Sequence, residues 1–413
     1  DTTILRTESQ KDIQLALENV FVDLKKKTFQ LGDLQLQTKD IDIPLDNGFY
    51  RLKIGGLDLR KSGLRLDHVH LVSPYSKMEF AYKQPKHQDW FDVKVGNVRL
   101  NDVDIPGYFS TKELRVGGLW INDVLLQNLK NRKIPVEPHI VPMIYEGLQK
   151  APVRFKIDTA SVANFSVVYE ELPVKGDKLG KLGKLYFTDM NGQFSGLTNI
   201  VSYPEQFITL HADGNLMGSG HFTATWQLPV DSLYDRFLLD ARLDSLDLLS
   251  LNEIIKPLAP AEVTSGWAQD VVFHMDASSR KGRIRLDFPY RKLKVALLKE
   301  KDGETTQKGF LSRLANLVLR DNNPAHPERK DSKLRKVDME IVRDPYHSTF
   351  NYLWQMLRPA LVESVGVSKK EQDAALKVAG FFTKVKRFFG LDKKKDKREE
   401  IDTNNKEIEP LKE

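Results

Sequence analysis

The chain has 413 residues, contains no cysteine and carries a formal net charge of +6. The lack of cysteine excludes disulfides, thiolate catalysis and cysteine-based zinc sites. No run of 18 apolar residues occurs, so we expect no helix that spans a bilayer. Because the chain begins at Asp1 without a signal-like apolar segment, we expect a fragment whose natural N-terminus has been removed.

One apolar pattern repeats through the first part of the chain. In residues 153–171 (VRFKIDTASVANFSVVYEE) apolar and polar residues alternate, as in a strand with one apolar face, but the phase slips midway. The same offsets of 0, 2, 5, 7, 10 and 12 recur from Val93, Leu114 and Phe155. A looser copy starts at Leu52. Such a repeat is typical of an elongated array.

Gly, Asn or Asp lies at the slips, as in Gly55-Gly56, Gly96-Asn97 and Gly117-Gly118. These residues tolerate positive φ and favour bulges or tight turns. We therefore expect short antiparallel strands with a bend at each glycine pair. Alternation also predicts strands at 17–24, 184–189, 207–213, 218–228, 236–246, 269–276, 282–298 and 336–343.

Few helices are predicted. One lies within 133–150, and a short one at 248–257 ends before Pro257. Residues 299–335 are polar and are expected to include a mobile loop. An amphipathic helix at 346–366 is expected to cap the sheet, with a kink at Pro359 and one apolar stripe formed by Phe350, Leu353, Trp354, Leu357 and Leu361.

A second amphipathic helix is predicted at 367–391, and a charged, disordered tail at 392–413. Between Lys384 and Arg398 there are eight Lys or Arg residues against two acids. This local charge suits an anionic membrane surface, and no nucleic-acid motif accompanies it. The predicted membrane-surface residues are Phe382, Lys384, Lys386, Arg387, Phe388 and Phe389. Alternatively, this helix packs its apolar stripe on the end of the sheet.

No catalytic or metal-binding motif is found. His68 and His70 share one face of a predicted strand, but no third ligand is placed by the sequence, and solvated histidines are the simpler interpretation. The glycine-rich GNLMGSG lacks the Lys-Ser/Thr of a phosphate loop. We expect a non-enzymatic protein without cofactor or metal.

Several segments resemble one family. They are VANFSVVYEE (162–171), GKLYFTDMNG (183–192), GLTN (196–199), GNLMGSGHFTATWQLP (214–229) and LDSLDLLSLNEIIKPLAPAEVTSGWAQDVVFHMDAS (243–278). Together they resemble the AsmA-like envelope proteins of Gram-negative bacteria, most clearly over 150–345. That family is similar in architecture to the chorein-type bridge-like lipid transfer proteins.

The resemblance implies a mainly β fold over 1–345, an elongated antiparallel sheet curled into an open apolar groove. It also implies a role in phospholipid transport or outer-membrane biogenesis. The implied location is the periplasm, with tethering to the inner membrane through an N-terminal anchor that this sequence lacks. The implied partners are phospholipids, the membrane surface and other envelope proteins. The expected lipid-binding residues are Val93, Val95, Leu114, Val116, Leu119, Ile121, Phe155, Ile157, Val162, Phe165 and Val167.

Three alternatives remain open. The apolar stripes could form the core of an ordinary sandwich or solenoid, because alternation does not distinguish a lipid from a second sheet. The chain could be a periplasmic scaffold that works through protein partners without lipid cargo. A polysaccharide-binding solenoid would need an aromatic ladder, which the five tryptophans do not form in the sequence.

The basic segment generates a first prediction. Replacing Phe388 with Ser and Lys386 with Glu should weaken co-sedimentation with anionic vesicles, because the change removes an apolar anchor and reverses one charge. Unchanged vesicle binding would leave only the packing role for this segment.

Overall fold

The computed structural model describes residues 13–366, except 24–27, 84–87, 135–138, 174–181, 232, 234, 260, 301–310 and 318–319. Inter-residue contacts divide the chain after Gly366, and the description below concerns the first of the two units. The predicted basic helix at 367–391, with its six membrane-surface residues, and the tail at 392–413 lie outside the described residues.

The described part of the chain is mainly β, as predicted. Its strands are β1 Ile13–Asp23, β2 Thr28–Leu45, β3 Tyr50–Arg60, β4 Gly63–Val72, β5 Trp90–Val103, β6 Glu113–Asn131, β7 Arg154–Leu172, β8 Gly183–Ser195, β9 Leu197–Thr198, β10 Phe207–Leu216, β11 Gly220–Pro229, β12 Phe237–Asp247, β13 Ala261–Ala277, β14 Lys281–Asp287, β15 Tyr290–Glu300, β16 Leu311–Leu317 and β17 Lys336–Val342. Its α-helices are α1 Lys77–Lys83, α2 Ile105–Thr111, α3 Ile144–Gln149, α4 Asn252–Leu258 and α5 Thr349–Val365. Short 3-10 helices occupy Asp46–Gly48 and Leu248–Leu251.

All these strands belong to one sheet. From β1 to β6 each strand pairs antiparallel with the next. β6 and β7 are parallel, and β7 then pairs antiparallel with β8 and with the two residues of β9. The order continues β8, β10, β11, β12, β13, and the far side of β13 is shared by β14 and β15, which pair with β17 and β16.

The sheet is long and uncurled, so the strands form an open face and not the curled groove that the sequence predicted. The expected bend at each glycine pair is also wrong. β5, β6 and β7 are continuous strands of 14, 19 and 19 residues, and each phase slip lies inside a strand as a bulge. The neighbouring strands bulge at the same place, so the ladder resumes on both sides of the slip.

The bulges line up in a row across β2 to β7. Register places Asp40 opposite Gly55, Gly55 opposite His68, His68 opposite Gly96, and Gly96 opposite Asp123. Asp40, His68 and Asp123 have positive φ. A Cβ on Gly96 would lie 2.9 Å from Cβ of Asp123, which explains why glycine faces each of these residues. In β7, Asn164 continues the row, and its Nδ2 donates to Oδ1 of Asp123 at 2.7 Å.

A buried core fills only the second part of the sheet. It joins the inner face of β10 to β14 to α3 and α5, and none of its members precedes Met143. The ring of Tyr352 in α5 packs edge-on against Phe237 in β12, with centroids 6.2 Å apart. This half therefore has the two layers that a stable domain requires.

Three predicted elements need correction. The strand predicted at 282–298 is split into β14 and β15 at Phe288-Pro289, because proline lacks the N–H that a ladder requires. Pro257 lies inside α4 and does not end it, and β16 lies within the region predicted as a polar loop. The short helices α1 and α2 and the 18-residue strand β2 were not predicted.

The α5 helix is present, and Leu353, Leu357 and Leu361 of the predicted stripe pack against the core, but the most buried side of the helix is shifted from that stripe. Phe350 and Trp354 of the predicted stripe are 66% and 47% exposed. The buried side is about a quarter turn away and consists of Thr349, Tyr352, Met356, Ala360 and Ser364. A glycine in β14 allows this orientation. Met356 of α5 packs over Gly282, and a Cβ on Gly282 would lie 2.8 Å from Cε of Met356.

The aligned bulges generate a stability prediction. Gly96→Ala should lower the free energy of unfolding by about 1–3 kcal/mol, because the new methyl group would collide with Cβ of Asp123. Gly147→Ala in α3, where nothing lies within 4 Å of the new Cβ, is the matched control and should be neutral or stabilising by up to ~1 kcal/mol. Urea denaturation measures both; equal stabilities for the two variants would contradict the close-packed bulge row.

Candidate functional site: the open apolar face

The eleven predicted lipid-binding residues lie together on one face of β5, β6 and β7. Register pairs Val98 with Ile121 and Ile121 with Val162. Leu114 pairs with Phe155, and the others of the set follow the same pattern at every second position between the slips. Because directly paired residues point to the same side of a sheet, the set forms a continuous patch.

The patch extends further than the sequence analysis placed it. Val98 pairs with Leu66, and Leu66 with Leu57. Val95 likewise pairs with Val69, and Val69 with Ile54. The looser repeat copy that starts at Leu52 already showed this apolar pattern, but the turn between β3 and β4 interrupts its spacing.

One row of paired residues shows that this face is common to almost the whole sheet. Every member from β1 to β17 is apolar: Leu15, Leu36, Leu59, Leu64, Leu100, Leu119, Ala160, Phe194, Leu210, Trp226, Leu239, Met275, Ile284 and Met339. The row crosses fourteen strands and is therefore about 60 Å long. The face of the first seven strands and the face beneath α5 are one surface.

The two halves of this surface differ in burial. In the second half, Trp226, Leu239, Met275 and Ile284 are buried beneath α3 and α5. In the first half, Val116 is the one fully buried member of the predicted set, and the other ten are partly exposed. Among the described helices, α1 contacts these strands near their ends: Phe80 packs against Tyr50 at the start of β3, and Lys77 Nζ donates to Oε2 of Glu170 near the end of β7 at 2.6 Å.

The open area is large. Five strands at ~4.8 Å spacing and about 13 residues at ~3.3 Å each give roughly 1,000 Å². The largest apolar patch on a typical soluble monomer is about 300–600 Å². We name the surface formed by the inward residues of β3 to β7 the open apolar face.

The connection between β6 and β7 separates the two halves. Because the two strands are parallel, the chain must return from Asn131 across the sheet to Arg154. On the way it contributes Met143 and Tyr145 to the core under α5. Ile144 N donates to Oγ1 of Thr349 at 3.2 Å, which joins α3 to the start of α5.

A partly buried polar cluster holds this connection in place. The Tyr145 hydroxyl donates to Oδ1 of Asp235, and Ser279 donates to the same carboxylate through N at 2.8 Å and Oγ at 2.6 Å. Burial, together with the Asp235 carboxylate, raises the pKa of Tyr145 well above its usual range. Arg343 Nη2 donates to the Val141 carbonyl at 2.6 Å. The crossover is thus tied to β13, β17 and α5.

The opposite face of the same strands is polar. His70 Nε2 lies 3.0 Å from Oδ1 of Asp92, and His68 is exposed in its bulge. A shallow depression of about 570 Å³ follows the bulge row and is lined by charged residues such as Asp42 and Lys53 and by apolar ones such as Ile54 and Val95. Among the described residues, no group of three His, Asp or Glu side chains could hold a metal ion.

Comparisons with known proteins add no family assignment. A scan of protein-family models and a search of curated proteins found no match to this chain. Among the described residues, none of the helices has both the length and the apolar character needed to cross a membrane.

The polar cluster gives a prediction that tests the boundary of the open apolar face. Tyr145→Phe should lower the free energy of unfolding by about 1.5–3 kcal/mol, because it removes a hydrogen bond from a buried hydroxyl to the charged, partly buried Asp235 carboxylate. Tyr82→Phe, at an exposed tyrosine, is the control and should be neutral within about 0.5 kcal/mol. Chemical denaturation checks both, and an unaffected Tyr145→Phe would mean that the cluster does not hold the crossover.

Proposed function

We propose that this chain binds acyl chains of phospholipids on the open apolar face and acts without catalysis in lipid transport or outer-membrane biogenesis. The observation that carries the proposal is the apolar row from Leu15 to Met339, which the protein's own helices cover in its second half and leave uncovered in its first. An uncovered surface of about 1,000 Å² requires an apolar occupant in water.

The dimensions of the open apolar face suit hydrocarbon. One leaflet of a bilayer contributes about 15 Å of the ~30 Å hydrocarbon core. The face measures roughly 24 Å across five strands and ~43 Å along them, so it has room for the chains of several phospholipids. Its inward residues are mainly Val, Leu, Ile and Phe, which make no hydrogen bonds and impose no fixed register on a chain. Such a surface favours sliding over tight, specific binding.

The resemblance to AsmA-like envelope proteins supports the same proposal. It is clearest over 150–345, from β7 to β17, including the half that α5 closes, and it suggests a groove built from an open sheet. On this basis we propose a periplasmic location, tethering to the inner membrane through an N-terminal segment, and partnership with other envelope proteins.

A scaffold protein is the competing function. The open apolar face would then be covered by a protein partner and would hold no lipid. The large flat area is compatible with a protein interface as well, since stable interfaces bury about 800 Å² per partner. The two functions differ in what co-purifies with the chain.

The test is native mass spectrometry with lipid extraction on protein purified gently from a Gram-negative host. Ile121→Asp places a charge in the middle of the open apolar face, on a partly exposed residue, and should reduce bound phospholipid about tenfold or more. Val116 is a poorer choice, because it is 2% exposed and a carboxylate there would damage the fold itself.

Thr159→Asp on β7 is the matched control, since it adds the same charge on the exposed polar face. Its lipid content should equal that of the unchanged chain. A folded, lipid-free wild-type chain, or equal lipid in the Ile121→Asp variant, refutes lipid binding on this face and favours the scaffold.

A further inference from the structure

Exposed apolar side chains are concentrated at one end of the strands in the second half of the sheet. Leu233 is 91% exposed, Ile140 73% and Tyr203 60%, and Val201 and Tyr346 are about half exposed. They lie on four different connections: β6 to α3, β9 to β10, β11 to β12, and β17 to α5. We name these five residues the loop rim.

Hydrogen bonds at the bases of these loops hold the loop rim together. Val141 N donates to the Pro345 carbonyl at 2.9 Å, which joins the segments carrying Ile140 and Tyr346. Val230 N donates to the Gln206 carbonyl at 2.8 Å, which joins the segments carrying Tyr203 and Leu233. The Asp235 cluster links the two pairs, because Arg343 Nη1 also donates to the Ser279 carbonyl at 3.3 Å.

The opposite ends of the strands do not show the same feature. At that end Leu45, Met78 and Leu249 are only 39%, 37% and 41% exposed. Among the described residues of that end, Tyr82 is the one strongly exposed apolar side chain. Loops that carry exposed apolar residues and are held together by hydrogen bonds are thus found at one end of the strands.

The chemistry of the loop rim favours a lipid surface over a protein partner. Its tips are single side chains on separate loops, whereas a protein hot spot is a packed patch with pockets. The carboxylates beside the tips are engaged by the loops themselves: Asp231 accepts from Leu233 N at 2.8 Å, and Asp344 from Tyr346 N at 3.1 Å. Leucine and isoleucine at the tips with tyrosines beside them match the apolar and interfacial layers of a bilayer.

We propose that the loop rim inserts into the interface of a lipid bilayer and docks this end of the sheet on a membrane surface. The exposed Glu205 is offset by the exposed Lys150 and Arg280, so the contact is apolar and not electrostatic. It should therefore resist salt, unlike binding through a basic segment. The inference goes beyond acyl-chain binding on the open apolar face and does not depend on it.

Because the chain has no cysteine, single cysteines can report on chosen sites. We would label Leu233→Cys and Ile140→Cys with an environment-sensitive fluorophore and add vesicles of phosphatidylcholine with phosphatidylglycerol, at low and high salt. Both labels should shift to the blue and brighten at either salt concentration. Tyr82→Cys, at the opposite end, and Thr159→Cys, on the polar face, are the controls and should not respond.

A second measurement uses unlabelled protein. Leu233→Ser combined with Ile140→Ser should weaken vesicle co-sedimentation at high salt about tenfold or more, because two inserted side chains are lost. Both substitutions fall on exposed side chains, and unchanged thermal unfolding would verify the fold.

Silent labels at 233 and 140 overturn the proposal, whether or not the chain binds vesicles by another route. A response to added envelope protein but not to vesicles would overturn it as well and would indicate a protein partner. Repeating the labelling in the Ile121→Asp background separates the two proposals, because rim insertion should persist when lipid capture on the open apolar face is lost.

Discussion

The structure depends on bulges that are matched from strand to strand. An extra residue in one strand alone would turn all residues beyond it to the other face of the sheet. Here Asp40, Gly55, His68, Gly96, Asp123 and Asn164 are unpaired at the same level of six successive strands. Apolar residues therefore stay on one side both above and below the slip. From β2 to β6, the alternation of glycine with residues of positive φ is what allows adjacent backbones to bulge together without a collision between Cβ atoms.

This constraint produces one apolar surface with two different environments. Over the second half, the crossover from β6 and the helix α5 lie on the surface and bury it. The Tyr145–Asp235–Ser279 cluster fixes that cover, because a partly buried carboxylate with three donors is costly to separate from them. Over the first half, the surface ends at the crossover without any described cover. The parallel pair β6 and β7 is the point where the architecture changes.

Sequence reasoning recovered the periodic part of this arrangement. Alternation identified β5, β6 and β7, and its offsets placed eleven residues correctly on one face, because side-chain direction follows directly from position in a strand. It could not show whether a slip is a bend or a matched bulge, since that depends on the neighbouring strand. For α5 it identified residues that pack on the core but not the centre of the buried side, which is set by Gly282 and Phe237 beneath the helix. The crossover had no sequence signal, because strand direction is a property of the sheet.

The energetic scale explains why the open half calls for an occupant. At ~25 cal/mol per Å², covering about 1,000 Å² of apolar surface is worth on the order of 10–25 kcal/mol, allowing for the partial shielding of neighbouring side chains. That is comparable to or larger than the net stability of most domains, about 5–15 kcal/mol. The chain already contains the means to cover such a surface, as α3 and α5 show on the other half. A sheet that keeps its apolar residues in phase over seven further strands without using those means supports the proposal that hydrocarbon from outside the chain covers this surface.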